Sequence, residues 1–159
     1  MLGLIGLTVH LDCPGRLAGA AVTHWAVVPS LPAKPGEHPL RTLVAPVTRL
    51  PEVPLTAAPI ASNPRSVNPD HYTAPAATSG DGHVLLVDDT WTSGGHAQSA
   101  VLALRAAGAA SVSVLIVARW LDAAFGDNKR FIREELRIDY DPSICPWTGS
   151  GCPEAAELP

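Results

Sequence analysis

The stretch Val84-Leu-Leu-Val-Asp-Asp-Thr-Trp-Thr-Ser-Gly-Gly-His96 decides how this chain is read. Its first four residues form a continuous apolar run, the pattern of a central parallel strand covered on both faces. Asp88 and Asp89 are expected to end that strand, and Thr90 to Gly95 make a small, turn-competent loop. From Ala97 to Ala107 the stripe of Ala100, Val101, Leu104 and Ala107 predicts a helix. Gly108 stands where a helix-closing glycine belongs. Ser111-Val-Ser-Val-Leu-Ile-Val117 is the next strand, which completes a β-loop-α-β unit of the length a right-handed parallel crossover needs.

The chemistry of this stretch points to a ligand. Two adjacent carboxylates at the carboxyl end of a buried strand are costly without a partner. In an α/β sheet that edge is where ligands bind. Thr92-Ser-Gly-Gly95 runs into a helix start, whose unpaired N–H groups and dipole attract an anion, with the hydroxyls as further donors. The ligand that suits both halves is a hydroxylated ring with a terminal phosphate. Asp88 and Asp89 would accept from the hydroxyls, and 92–96 would wrap the phosphate. Gly94→Val is expected to block the anion site and leave the fold intact. Neither a Walker A loop nor a dinucleotide fingerprint is present. An Asx turn with a helix cap accounts for Asp-Asp-Thr alone equally well, but for the whole string from Val84 to His96 less well.

Outward from this unit the chain is less regular. His24-Trp-Ala-Val-Val28 reads as a second buried strand. The residues before it suggest a short helix, a break at Pro14-Gly15 and another small-residue segment. Prolines and a glycine in 31–39 force a loop, and 40–50 holds a short helix. A strand is expected near Leu55–Ala58, and 62–75 reads as a long mobile loop that closes over a ligand. Residues 122–138 are charged and partly helical, and 139–159 form an irregular tail. The expected architecture is one three-layer α/β domain over 1–159, its central parallel sheet including 24–28, 84–87 and 111–117.

Composition sets the outer bounds. Hydrophobic residues make up 47% of 159 and charged residues 16%, which excludes a disordered chain. The net charge of −4 argues against nucleic acid or an anionic membrane as partner. No apolar run approaches the roughly 20 residues of a membrane span, and the apolar opening lacks a basic region before it. Three cysteines make no disulfide framework, so a reducing, cytoplasmic setting is expected. Cys145 and Cys152 are too far apart for the usual zinc pair, and only Cys13 or a histidine would complete a set. Ordinary free thiols beside a tail tryptophan are expected, and no zinc. His24, His38 and His83 are isolated and receive no ligand role.

The stretch 84–96 resembles the phosphoribosyl pyrophosphate motif of type I phosphoribosyltransferases, with ComF-like and amidophosphoribosyltransferase-like members the most similar. That pattern is four apolar residues, two acids, an apolar pair, Thr, Thr or Ser, Gly, a small residue and Thr. By this resemblance Asp88 and Asp89 contact the ribose hydroxyls, while Thr92, Ser93, Gly94 and Gly95 hold the 5′-phosphate. His96 replaces a Thr, an imidazole N–H standing in for the last donor, and Thr90 replaces an apolar residue. Val27-Val-Pro-Ser30 and its loop resemble the pyrophosphate loop, with Lys34 the one lysine before residue 129. The arginines of ComF-like members are missing from that loop. Arg65, with Asn68, His71 and Tyr72, falls where the family has a flexible active-site loop.

The resemblance implies a pentosyltransferase. Ribose 5-phosphate would pass from phosphoribosyl pyrophosphate to a small nitrogenous acceptor, with Mg²⁺ carried by the substrate near Asp88 and Asp89. Such a role lies in nucleotide metabolism. The amino terminus is short against the family, and basic residues are few. Those two features also suit a regulatory module that binds the ribose phosphate without turnover. A homodimer would be another source of a basic residue. An accessory role in DNA uptake, as in ComF-like members, is a third reading, to which an acidic chain gives little support.

Overall fold

The computed structural model describes residues 2–59, 63–76, 82–137 and 139–154. At its centre lies β4 (His83–Trp91), flanked by β1 (Val22–Val27) and β5 (Ser111–Arg119) in one parallel sheet. Side chains on a strand alternate between faces, and here the alternation divides two cores. Leu85 and Val87 join Trp25, Val27 and Leu7, packing toward α1 (Leu2–Val9) and Leu40 and Val44 of α3 (Pro39–Thr48). Val84 and Leu86 join Ala26 and Val28 on the other face, under Ala100, Ala103 and Leu104 of α4 (Gly95–Ala106). Helices therefore cover both faces of a parallel sheet: the fold is three-layer α/β, with 84–87 in its central strand.

Local detail departs from expectation in two places. The strand does not stop at the acids: Asp88 pairs with Ile116, Thr90 with Ala118 and Trp91 with Arg119. The neighbouring β5 continues to Arg119 and offers a ladder, which outweighs the turn tendency of Asp and Thr. The segment 63–75 is packed rather than loose; residue 62 lies outside the described residues. It forms a single 3₁₀ turn at Pro69–His71, then β3 (Tyr72–Thr73), antiparallel to β2 (Thr56–Ala57). Tyr72 is 2% exposed and donates its hydroxyl to the Pro29 carbonyl, and Asn68 N–H donates to Ser99 Oγ of α4. One buried aromatic and a short ladder suffice to anchor a segment that is otherwise polar.

His83 behaves as a core histidine, wholly buried between the Ala20 carbonyl and Ser113 Oγ. After α5 (Asn128–Glu134) the chain returns to α2 (Cys13–Ala18), where Arg16 donates to the Pro153 carbonyl. Among the described residues no helix is long and apolar enough to cross a membrane.

Candidate functional site

The period of the strand sends the two acids to opposite faces of the sheet. Asp88, on the α4 side with Leu86, is 6% exposed. With Thr90, Thr92, Ser93, His96 and Arg65 it lines a narrow cleft of about 20 Å³, room for about one water. Burial pushes its carboxyl up to about 6, the Asp89 charge adds to the shift, and the Asp89 N–H opposes it. Asp89 is exposed and lies on the α3 side, its Oδ2 4.0 Å from His38 Nε2. His38 Nδ1 accepts from Leu40 N–H at the start of α3. That bond leaves the ring proton on Nε2, toward Asp89.

Glycines shape the floor of the cleft. Gly94 precedes α4 with φ 80, a left-handed conformation that suits glycine, and α4 carries no side-chain cap. Its first N–H groups therefore have no side-chain acceptor from a cap. A Cβ at Gly94 would run into the Trp91 indole, so Gly94→Val would strain the loop as well as block it. A Cβ at Gly95 would run into the Arg65 carbonyl, which also accepts from Ser93 Oγ at 3.3 Å. His96, in the first turn, buries an Nε2 that has no hydrogen-bond partner. Burial holds its pKa below the usual histidine range, against the pull of the Pro64 carbonyl, so the ring is neutral at pH 7.

The cleft thus unites Asp88, Arg65 and 92–96. Arg65 is an exposed residue whose backbone carbonyl lies beside Gly95 and Ser93. Lys34 lies elsewhere, in a cavity of about 620 Å³ lined also by Val27, His38, Arg41 and Glu52. Asp89 lies against His38, which lines that cavity. Arg41 is committed within the cavity: Nε donates to both oxygens of Glu52, and Nη1 donates to Glu37 at 2.7 Å. His38, isolated in the sequence, lies beside Asp89 in the fold. Its position before Pro39-Leu40 is a helix-start signal that would have placed it at the site's edge.

No protein-family model and no curated protein sequence matches this chain. Among solved structures it is similar to adenine phosphoribosyltransferase from Leishmania donovani, with a TM-score of 0.48 and 19% identity. The match covers 83% of this chain and 58% of that one, so the chain spans less than two thirds of that protein's length.

Proposed function

We propose that the carboxyl edge of the sheet binds the ribose 5-phosphate portion of phosphoribosyl pyrophosphate and serves its transfer to a nitrogen acceptor, releasing pyrophosphate. One observation carries the reading: a buried carboxylate, Asp88, shares a cleft with the start of α4, which carries no side-chain cap. Phosphate would lie on the first N–H groups of α4, with Thr92 as a donor and Ser93 joining it by exchanging its bond to the Arg65 carbonyl. Asp88 would accept from a ribose hydroxyl, and Asp89 from the other face of the strand end. The larger cavity beside Lys34 would receive the pyrophosphate. Asp88 and Asp89 are hard oxygen donors and fit Mg²⁺ arriving with the substrate. The ion would offset charge on the departing pyrophosphate. The chain itself orients the ribose and stabilises charge, with no covalent nucleophile.

Arg41's engagement with Glu37 and Glu52 favours a second reading, a module that holds ribose phosphate without turnover. Calorimetry with phosphoribosyl pyrophosphate and Mg²⁺, beside ribose 5-phosphate alone, separates them. Tighter binding of the pyrophosphate, with pyrophosphate release on adding a base, supports transfer. Equal affinities support the module. Failure to bind either removes both.

A further inference from the structure

Away from the cleft, four side chains from the two ends of the chain converge on one point. The candidate ligand atoms of His10, Cys13, Cys145 and Cys152 all lie within 4.8 Å of one another. His10 Nδ1 is 3.2 Å from Cys152 Sγ and 3.9 Å from Cys13 Sγ. A tetrahedral zinc with Zn–S near 2.3 Å and Zn–N near 2.0–2.1 Å requires ligand separations of about 3.5–3.8 Å. We propose that these four residues form a structural zinc site that ties the amino-terminal helices to the carboxyl-terminal tail.

The surroundings are built for it. His10 Nε2 lies 3.0 Å from the Pro142 carbonyl, which holds the ring proton there and directs the Nδ1 lone pair at the sulfurs. Metal-bound histidines are oriented in this way. The Cys13 N–H donates to the His10 carbonyl, so the turn between α1 and α2 presents both side chains together. On the tail, Gly149 N–H donates to the Cys145 carbonyl and Cys145 N–H to the Ser150 carbonyl. That tight reversal, with Gly149 at φ 71, brings Cys152 back beside Cys145. His10, Cys13 and Cys145 are almost wholly buried, while Cys152 is exposed and marks the side from which metal enters.

Three sulfurs and one imidazole exclude the hard cations, which prefer oxygen, and a closed tetrahedral set of this kind is that of structural zinc sites. On binding, three thiols release their protons to solvent, and Zn²⁺ with three thiolates carries one negative charge. With four protein ligands the metal has no open position, so its role is to hold structure. None of the four residues lines the cleft at Asp88. The site therefore stands or falls apart from the proposed transferase activity.

The test uses the full chain produced in zinc-supplemented medium and purified under reducing conditions without chelator. Elemental analysis is expected to give one zinc per chain, and exchange for cobalt to give the thiolate charge-transfer and intense d–d bands of a tetrahedral site. Because Cys13 and Cys145 are core residues, Cys152→Ser is the informative variant. It should fold, yet lose its metal to a competing chelator that the parent chain resists. Asp88→Asn should keep the zinc. A folded parent chain with zinc far below stoichiometry overturns the proposal. So does a cobalt form without the charge-transfer band, metal retention unchanged in Cys152→Ser, or a Cys145–Cys152 disulfide in place of metal.

Discussion

The cleft at Asp88 and the cluster at Cys145 handle buried polar groups in different ways. In the cleft a carboxylate sits beside the start of a helix that carries no side-chain cap, around a space of about one water. In the cluster three thiols and an imidazole close on each other, contributed by segments some 130 residues apart, with His10 and Pro142 separated by 132. In the proposed function the first arrangement is completed by a ligand that comes and goes. The second is satisfied by something that stays. Stability should therefore reside mainly in the cluster and ligand affinity in the cleft.

The largest effect belongs to metal removal. Stripping zinc with a strong chelator should lower the melting temperature by about 10 °C or more, as expected when several kcal/mol of metal binding are lost. Below the melting transition, ribose 5-phosphate affinity should hold within about twofold, close to the scatter of independent sites. A parallel collapse of affinity would join the two regions into one.

Gly95→Val comes next and breaks the division from the other side. Its side chain would meet the Arg65 carbonyl, pushing 63–66 away from α4. It should abolish ribose 5-phosphate binding and cost about 1–3 kcal/mol of stability, as overpacking does. Calorimetry and thermal melting check both.

Asp88→Asn should weaken ribose 5-phosphate binding by one to two decades, from charge-assisted hydrogen bonds of about 1.5–3 kcal/mol. Its melting temperature should hold or rise, because an unpaired buried charge is removed. Asp89→Asn should weaken binding less and leave stability unchanged, since that carboxylate is exposed beside His38. Equal losses in the two variants would show that the strand end re-forms around the ligand.

The pH dependence of Asp88 is a smaller test. Its folded pKa, about 6, lies above the ordinary value of 3.8, so the folded state binds the proton more tightly. Stability from this group is then present at low pH and lost as pH rises through the folded pKa. From pH 7 to 5 the parent chain should gain about 1 kcal/mol relative to Asp88→Asn. Ribose 5-phosphate affinity should fall over the same interval, more steeply than in the variant, which retains only the titration of the phosphate. Identical profiles would place the carboxylate outside the cleft.

The smallest effect is expected at Arg41. Its ion pairs are half exposed, so Arg41→Met should shift melting by about 2 °C or less. Affinity for phosphoribosyl pyrophosphate should stay within about twofold, whereas Lys34→Met should reduce it by about tenfold, near the upper range of a charged contact partly screened by water. The reverse ranking, read by calorimetry, would move the pyrophosphate onto Arg41.

Much of the sheet and of the cleft was legible because their signals are local. The apolar run 84–87, closed by turn residues, suits a covered strand, the Ala-rich stripe a helix over it, and Gly94-Gly95 a close approach of backbone. Strand length was less legible, because Asp88 to Trp91 are extended by β5 rather than by their own preference. The packing of 63–75 was missed for a similar reason: Tyr72 becomes an anchor only when Pro29 and α4 are beside it.

The sequence by itself determined the parallel β-loop-α-β unit and the acid pair leading to a helix start, since spacing along one strand and one turn is enough to define them. Only the tertiary structure decided that Asp88 and Asp89 part to opposite faces, that His38 meets Asp89, and that His10 and Cys13 come against Cys145 and Cys152. Those contacts join residues far apart along the chain, and nothing in the local sequence encodes a distance that is set by packing the helices on the sheet.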